Sequence, residues 1–139
     1  MATKMFSIAE LDITKQSEAG FEFEVQDDST GKGVGVYLTV IGAHAPAVQK
    51  FTSKKLNERR VFDEMNERRG KKAQVRKIED DVEFGIELAA IRIVAWRGIS
   101  DEFSPANAVQ LCTVNPTVRE QILKASEDLS NFTKGSHKT

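Results

Sequence analysis

The chain has 139 residues, 40% of them apolar and 29% charged, with a formal net charge of −1. That length suits one domain with a core of its own, no run of about 18 or more apolar residues offers a membrane span, and the N-terminal MATKMFSIAEL lacks the h-region of a signal peptide. The single cysteine, Cys112, excludes an internal disulfide and suits a reducing cytoplasm, where its ordinary place is that of a small buried apolar residue.

In chain order, the apolar positions Phe6, Ile8, Leu11 and Ile13 predict a short strand over 6–13, with KQSEAG at 15–20 as the turn after it. FEFEV at 21–25 alternates strictly, with Phe21, Phe23 and Val25 on one face and Glu22 and Glu24 on the other, the period of a half-buried strand. VGVYLTVI at 34–41 is β-branched and aromatic and predicts a second strand. QDDSTGKG between them has hairpin chemistry. Two or three such strands form an antiparallel sheet with one wet face, and helices must cover the other.

After Ile41 the period changes. Pro46 stands at a first helical position, and Val48, Phe51, Phe62 and Met65 share a face, with Leu56 and Val61 near its edges. Gly70 ends this long charged helix, and KKAQVRK follows as a basic connector. Charge is unevenly spread: residues 1–49 hold three basic and seven acidic side chains (−4), 50–77 hold eleven and four (+7), and 78–139 hold six and ten (−4). IEDDVEFGIELAAIRIVAW at 78–96 predicts the next helix, with acids in its first turns where the dipole favours them, ended by Gly98. One apolar stripe is Ile78, Val82, Ile86, Ala89, Ile93 and Trp96; the other is Phe84, Leu88, Ile91 and Ala95. A helix apolar on most sides is central in a core or shared with a partner, a second copy included.

Two capping devices follow. Ser104-Pro105 opens a short helix carrying Ala108, Val109, Leu111 and Cys112, and Asn115-Pro116 opens another through Val118, Ile122, Ala125 and Leu129 to Phe132. Pro116 lacks an N–H and disfavours a helical Asn115, so the two helices cannot fuse. Trp96 and Phe103 are expected to pack inside the resulting corner, and the polar tail TKGSHKT is expected to fray. The expected class is therefore α+β: a small N-terminal antiparallel sheet of two or three strands with three to four α-helices. It forms one domain over 1–139, β-rich over 1–43, helical over 44–133, with a flexible tail at 134–139.

Enzymatic constellations are missing. The only histidines, His44 and His137, have no Cys or His at metal-ligand spacing, so neither a metal nor a cofactor is expected. GKGVG at 31–35 lacks the phosphate-cradling form and reads as a hairpin turn. The consecutive acids at 79–81 do not face one point on a helix and read as dipole-favoured solvated charge. The basic side chains Lys54, Lys55, Arg59, Arg60, Arg68, Arg69, Lys71, Lys72, Arg76 and Lys77 leave three readings open: a solvated face, an acidic protein partner, or a nucleic-acid backbone. Interleaved Glu58, Asp63, Glu64 and Glu67 and thin aromatic content weigh against nucleic acid.

The strands GFEFEVQDDSTGKGVGVYLTVIGAHAPAVQKF, then a helix ending in Trp96 and Gly98, then FSPANAVQLCTVNPTVREQILKASEDLSNF, carry a further reading. Trp96, Gly98, Phe103, Ser104, Asn107, Ala108, Leu111, Asn115, Pro116, Gln121, Ile122, Ser130, Asn131 and Phe132 stand in an order and spacing that resembles the tail assembly chaperones of long-tailed bacteriophages and prophages. The resemblance covers about residues 20–133. One departure is His44-Ala45 ahead of Pro46, where an Asp or Ser helix start is expected.

The resemblance implies a non-enzymatic protein of the host bacterial cytoplasm, absent from the mature virion. It implies binding to the aggregation-prone tape measure protein and recruitment of tail tube protein, in many members through a longer frameshifted form. Phe51, Phe62 and Met65, rimmed by Arg59, Arg60, Arg68 and Arg69, are the residues expected to meet the client, against the alternative that the three apolar side chains pack on the sheet. Two other functions compete: a small nucleic-acid-binding module using 50–77, and a minor structural protein of the tail.

Overall fold

The computed structural model describes residues 5–70 and 78–133. Among them, β1 (Phe21–Gln26), β2 (Gly33–Val40) and β3 (Ile93–Arg97) form one antiparallel sheet in the order β1-β2-β3. Six helices accompany it: α1 (Ile13–Ser17), α2 (Pro46–Arg69), α3 (Ile78–Ala90), α4 (Pro105–Val114), α5 (Pro116–Glu127) and α6 (Ser130–Thr133). The class is α+β, as the alternating and helical periods predict, but the sheet is not confined to the N-terminal part. Its third strand comes from the region expected to be wholly helical.

The hairpin forms where its chemistry lies. Asp27 accepts at Oδ1 from the Ser29 N–H at 2.8 Å, its carbonyl accepts from Gly31 N–H at 2.7 Å, and its own N–H donates to the Lys32 carbonyl at 2.8 Å. Gly31 takes φ +71° there, a conformation that suits glycine. Phe21, Phe23 and Val25 turn inward, where Val25 joins the core and the two rings pack against it. On the wet face Glu22 receives both Nε (3.1 Å) and Nη2 (3.2 Å) of Arg97, whose guanidinium lies 3.8 Å from the Tyr37 ring centre. This contact bridges the two outer strands across β2, and it holds the Glu22 carboxyl below its ordinary range.

Two regions depart from the sequence expectation. The predicted strand over 6–13 is instead a 3₁₀ turn at Ala9–Leu11 followed by α1. Reciprocal bonds close the turn, Ser7 N–H to Glu10 Oε1 at 3.0 Å and Glu10 N–H to Ser7 Oγ at 3.2 Å, the capping-box pairing. Asp12 then caps α1 through the N–H groups of Thr14 and Lys15. The predicted helix 78–96 stops at Ala90, and Ile93–Arg97 extends to pair with β2, Leu38 opposite Trp96 and Thr39 opposite Ala95. The exposed edge of β2 supplies backbone partners that outweigh the helical spacing of Ile93 and Trp96. Gly98 accordingly ends a strand, not a helix, with φ +90°.

Both proline devices fold as written. Ser104 Oγ accepts from Asn107 N–H at 3.0 Å, and Asn115 Oδ1 accepts from Val118 N–H at 3.1 Å. The last helix breaks once more than expected. Asp128 leaves the helical region, and its carboxylate accepts from Ser130 N–H at 3.1 Å to open α6. Trp96 and Phe103 meet edge to face at 5.2 Å, as expected for the corner, and the indole N–H donates to the Asp101 carbonyl at 3.0 Å. The connector 71–77 and the tail 134–139 lie outside the described residues.

The core gathers Leu38 and Val40 from β2 with Ile86, Ala89, Ile93, Ala108, Cys112, Val118, Ile122 and Phe132. Burial pushes the Cys112 thiol from 9.0 up to about 11. The unfolded chain ionises its thiol first, so this contribution to stability is intact below about pH 9 and is lost as pH rises toward 11. Urea unfolding is expected to show a loss of roughly 2–3 kcal/mol from this source between pH 8 and 11. The Cys112→Ala variant should lack that part of the alkaline decline; an identical decline in both would assign it to other groups.

Candidate functional site

The 24 residues of α2 make a rod about 36 Å long. Its start is anchored: Ile41, Ala45 and Val48 form a small buried cluster, and Gln49 Nε2 donates to the Ala43 carbonyl at 2.9 Å. The backbone ahead of it is also tied down, because Gly42 N–H donates to Ser17 O, Ala43 N–H to Ser126 O, and Ser126 Oγ to Ile41 O. Ala45 holds the N-cap position without a side-chain acceptor, so Pro46 and these contacts start the helix in place of the missing Asp or Ser. Val48 is the one buried residue of α2, and no α2 residue belongs to the main core. Gly70 ends the helix at φ +58°.

Beyond that anchor, α2 is held by α3 through charge and aromatic faces. Lys55 Nζ lies 3.2 Å from Glu87 and Arg59 Nη2 lies 2.7 Å from Asp81, while the Arg59 guanidinium sits 4.2 Å from the Phe84 ring centre. Lys55, Arg59, Phe84 and Glu87 line a groove between the helices with Glu58, Phe62, Asp80 and Glu83. A second groove is almost wholly apolar: Phe51, Ala90, Ile91, Ile93, Phe103, Pro105 and Val109 line it, with Glu87 at its edge.

The expected client residues therefore divide. Arg59 and Phe62 lie together in the charged groove, facing α3. Phe51 lies about 16 Å away along the helix, in the apolar groove. Met65 is 48% exposed and lines neither groove. Arg60, Arg68 and Arg69 are exposed, with Arg68 drawn to Glu64 at 3.5 Å. Packing on the sheet does not account for Phe62, whose neighbours are helical.

Sequence periodicity missed several exposed apolar side chains. Leu56 and Val61 are 48% and 56% exposed. On α3 the stripe Ile78, Val82, Ile86, Ala89 starts in solvent and ends buried, so its first half is uncovered. The stripe itself was legible; where the body of the protein stops beneath it was not. Phe84 belongs to an apolar stripe of its helix, and only the packing of α3 beside α2 makes it the platform for Arg59.

The residues weighed for metal or phosphate chemistry lie in separate places. His44 is exposed in the turn before α2, Lys32 is in the hairpin, and Asp81 is engaged by Arg59. Among the described residues no three His, Cys, Asp or Glu side chains converge as a metal site would require. Among the same residues no helix is long and apolar enough to cross a membrane. The surface carries two grooves along one long helix, uncovered apolar side chains, and cations beside them. No family model matches the chain, and neither a curated protein nor a solved structure matches it.

Proposed function

We propose that this chain is a tail assembly chaperone of a long-tailed phage or prophage. It binds the tape measure protein in the host cytoplasm, keeps it soluble, and helps recruit tail tube subunits. The observation that carries this reading is the ordered run from Trp96 to Phe132. Its members are the joints of the fold. Trp96 packs on Phe103, Ser104 and Asn115 cap their helices, and Asn107 Nδ2 donates to the Glu102 carbonyl at 2.8 Å. Gln121 binds both the N–H and the carbonyl of Gln26 at 2.9 Å, and Asn131 Nδ2 donates to the Ala125 carbonyl at 2.9 Å. Because these residues make the joints, their spacing is tied to the fold, and that supports the reading. The uncovered apolar surface of α2 and α3 supports the same reading, because a holder of aggregation-prone helices needs apolar area that is accessible before the client arrives.

A second reading, nucleic-acid binding, draws on one observation: Lys50, Lys54, Arg60 and Arg69 have no ion-pair partner among the described residues. Co-expression with the tape measure protein of the same phage, followed by affinity purification at low and high salt, separates the two. The expected result is a long tail protein that becomes soluble and co-purifies. An insoluble long protein, with nucleic acid co-purifying in its place and lost steeply with salt, would overturn the chaperone reading. Recovery of this chain in purified particles would instead favour a structural tail component.

A further inference from the structure

The half-buried residues of α2 mark its inner side: Phe51, Lys55, Arg59 and Phe62 recur at helical spacing and face α3 and its neighbours. Lys50, Lys54, Val61, Met65 and Arg68 recur at spacings of 4, 7, 4 and 3 and make a second stripe, exposed throughout. In the middle of that stripe Val61 and Met65 are 56% and 48% exposed. Lys54 and Val61 share a shallow depression with Asn57 and Glu58. The carboxylates bordering the stripe are engaged within the helix, Glu58 with Lys55 at 3.8 Å and Glu64 with Arg68 at 3.5 Å. Lys50 and Lys54 have no carboxylate in ion-pair reach among the described residues.

We infer that this outer stripe of α2 is a docking face for an acidic amphipathic helix of a partner protein. The inference rests on the reading of the chain as a client-binding protein and names the chemistry of the client segment. An apolar centre flanked by cations at both ends selects its complement: a helix with apolar residues at i and i+4 set on Val61 and Met65, and carboxylates about one, two and three turns away reaching Arg68, Lys54 and Lys50 respectively. A second copy of α2 fits less well: antiparallel pairing with Val61 on Val61 sets Lys54 against Arg68 and Met65 against Asn57 of the other copy, and the register that seats Val61 on Met65 carries Lys50 and Lys54 beyond the other copy's Arg69. A phosphate backbone would satisfy the cations but leave Val61 and Met65 without apolar contact.

The test uses the full chain, isotope-labelled for amide NMR, and three probes. One is a synthetic helix of about 20 residues with a leucine stripe and flanking glutamates. Another is its twin with lysine for each glutamate, and the last is a short DNA duplex. The acidic helix is expected to shift amides along the Lys50–Arg68 stripe, and the basic twin to bind at least about 10-fold more weakly. Lys54→Glu and the double variant Val61→Ser/Met65→Ser are each expected to weaken binding of the acidic helix by about 10-fold with the amide spectrum otherwise unchanged. Equal binding of both twins, shifts confined to the inner side of α2, or no binding of the acidic helix would overturn the inference. Displacement of the acidic helix by the duplex at equal concentration would overturn it in favour of a phosphate-binding face. The co-expression experiment reports separately on the chaperone reading. A client still held by the double variant sinks this docking face alone, and an acidic helix bound where no tape measure protein is solubilised sinks the chaperone reading alone.

Discussion

Gly98→Ala is expected to cost on the order of 3 kcal/mol or more, while Gly35→Ala costs about 1–2 kcal/mol. Both glycines take positive φ, +90° and +83°, so an alanine at either meets the left-handed backbone penalty. The difference lies in what the new Cβ would touch. At Gly35 it points into open space. At Gly98 it would sit inside contact distance of the Gly35 carbonyl oxygen and 3.1 Å from the Val36 Cα. Neither neighbour can rotate away, because both are backbone, so β3 would have to peel from β2 at its end. That peeling loosens the turn in which Trp96 holds Asp101 and Phe103. Urea midpoints at unchanged m measure both variants. Equal losses for the two would show that the close approach of the two strands at Gly98 has no energetic weight.

Leu38→Ala is expected to lose about 3–5 kcal/mol, and Val61→Ala less than about 0.5 kcal/mol. Leu38 has no exposed surface and lies on the central strand, with Phe23 beside it on β1 and Trp96 beside it on β3. Removing its branched end leaves a cavity bounded by the sheet on one side and packed helices on the other, and those walls cannot collapse together. Set against the roughly 5–15 kcal/mol by which domains are stable, this one truncation removes a large share. Val61 is the counter-case: more than half exposed on α2, it loses only surface contacts. Thermal and urea unfolding of the two variants measure the contrast. A Val61 loss comparable to that of Leu38 would mean that the outer side of α2 is covered in the free protein, and the docking face would have no vacancy to offer.

Where the sequence and the structure part, the cause is traceable to range. Ile93 and Trp96 lie three apart, a helical spacing, yet the strand also turns both inward, opposite Val40 and Leu38, because its register shifts between Thr39 and Val40. Nothing local breaks the tie. The deciding partner is β2, more than fifty residues earlier, whose second edge would otherwise be left with unpaired backbone groups. The turn at 7–10 is a different case. Its Ser-x-x-Glu signal is local, and the reciprocal bonds of that cap outweigh the apolar positions around it.

The same division runs through the candidate site. That α2 is long, charged and thinly apolar follows from its own residues, as do its start at Pro46 and its stop at Gly70. So do the β1–β2 hairpin and the two capped starts at Ser104 and Asn115, because each is a bond between residues a few positions apart. Which side of α2 is covered was decided by tertiary structure. Phe51, Arg59 and Phe62 turn inward because α3 brings Phe84, Asp81 and Glu87 beside them, and Val61 and Met65 are left outside by the same choice. Periodicity gives a helix its stripes, but a stripe is buried only if another element arrives to bury it, and that arrival is a long-range event the helix does not encode.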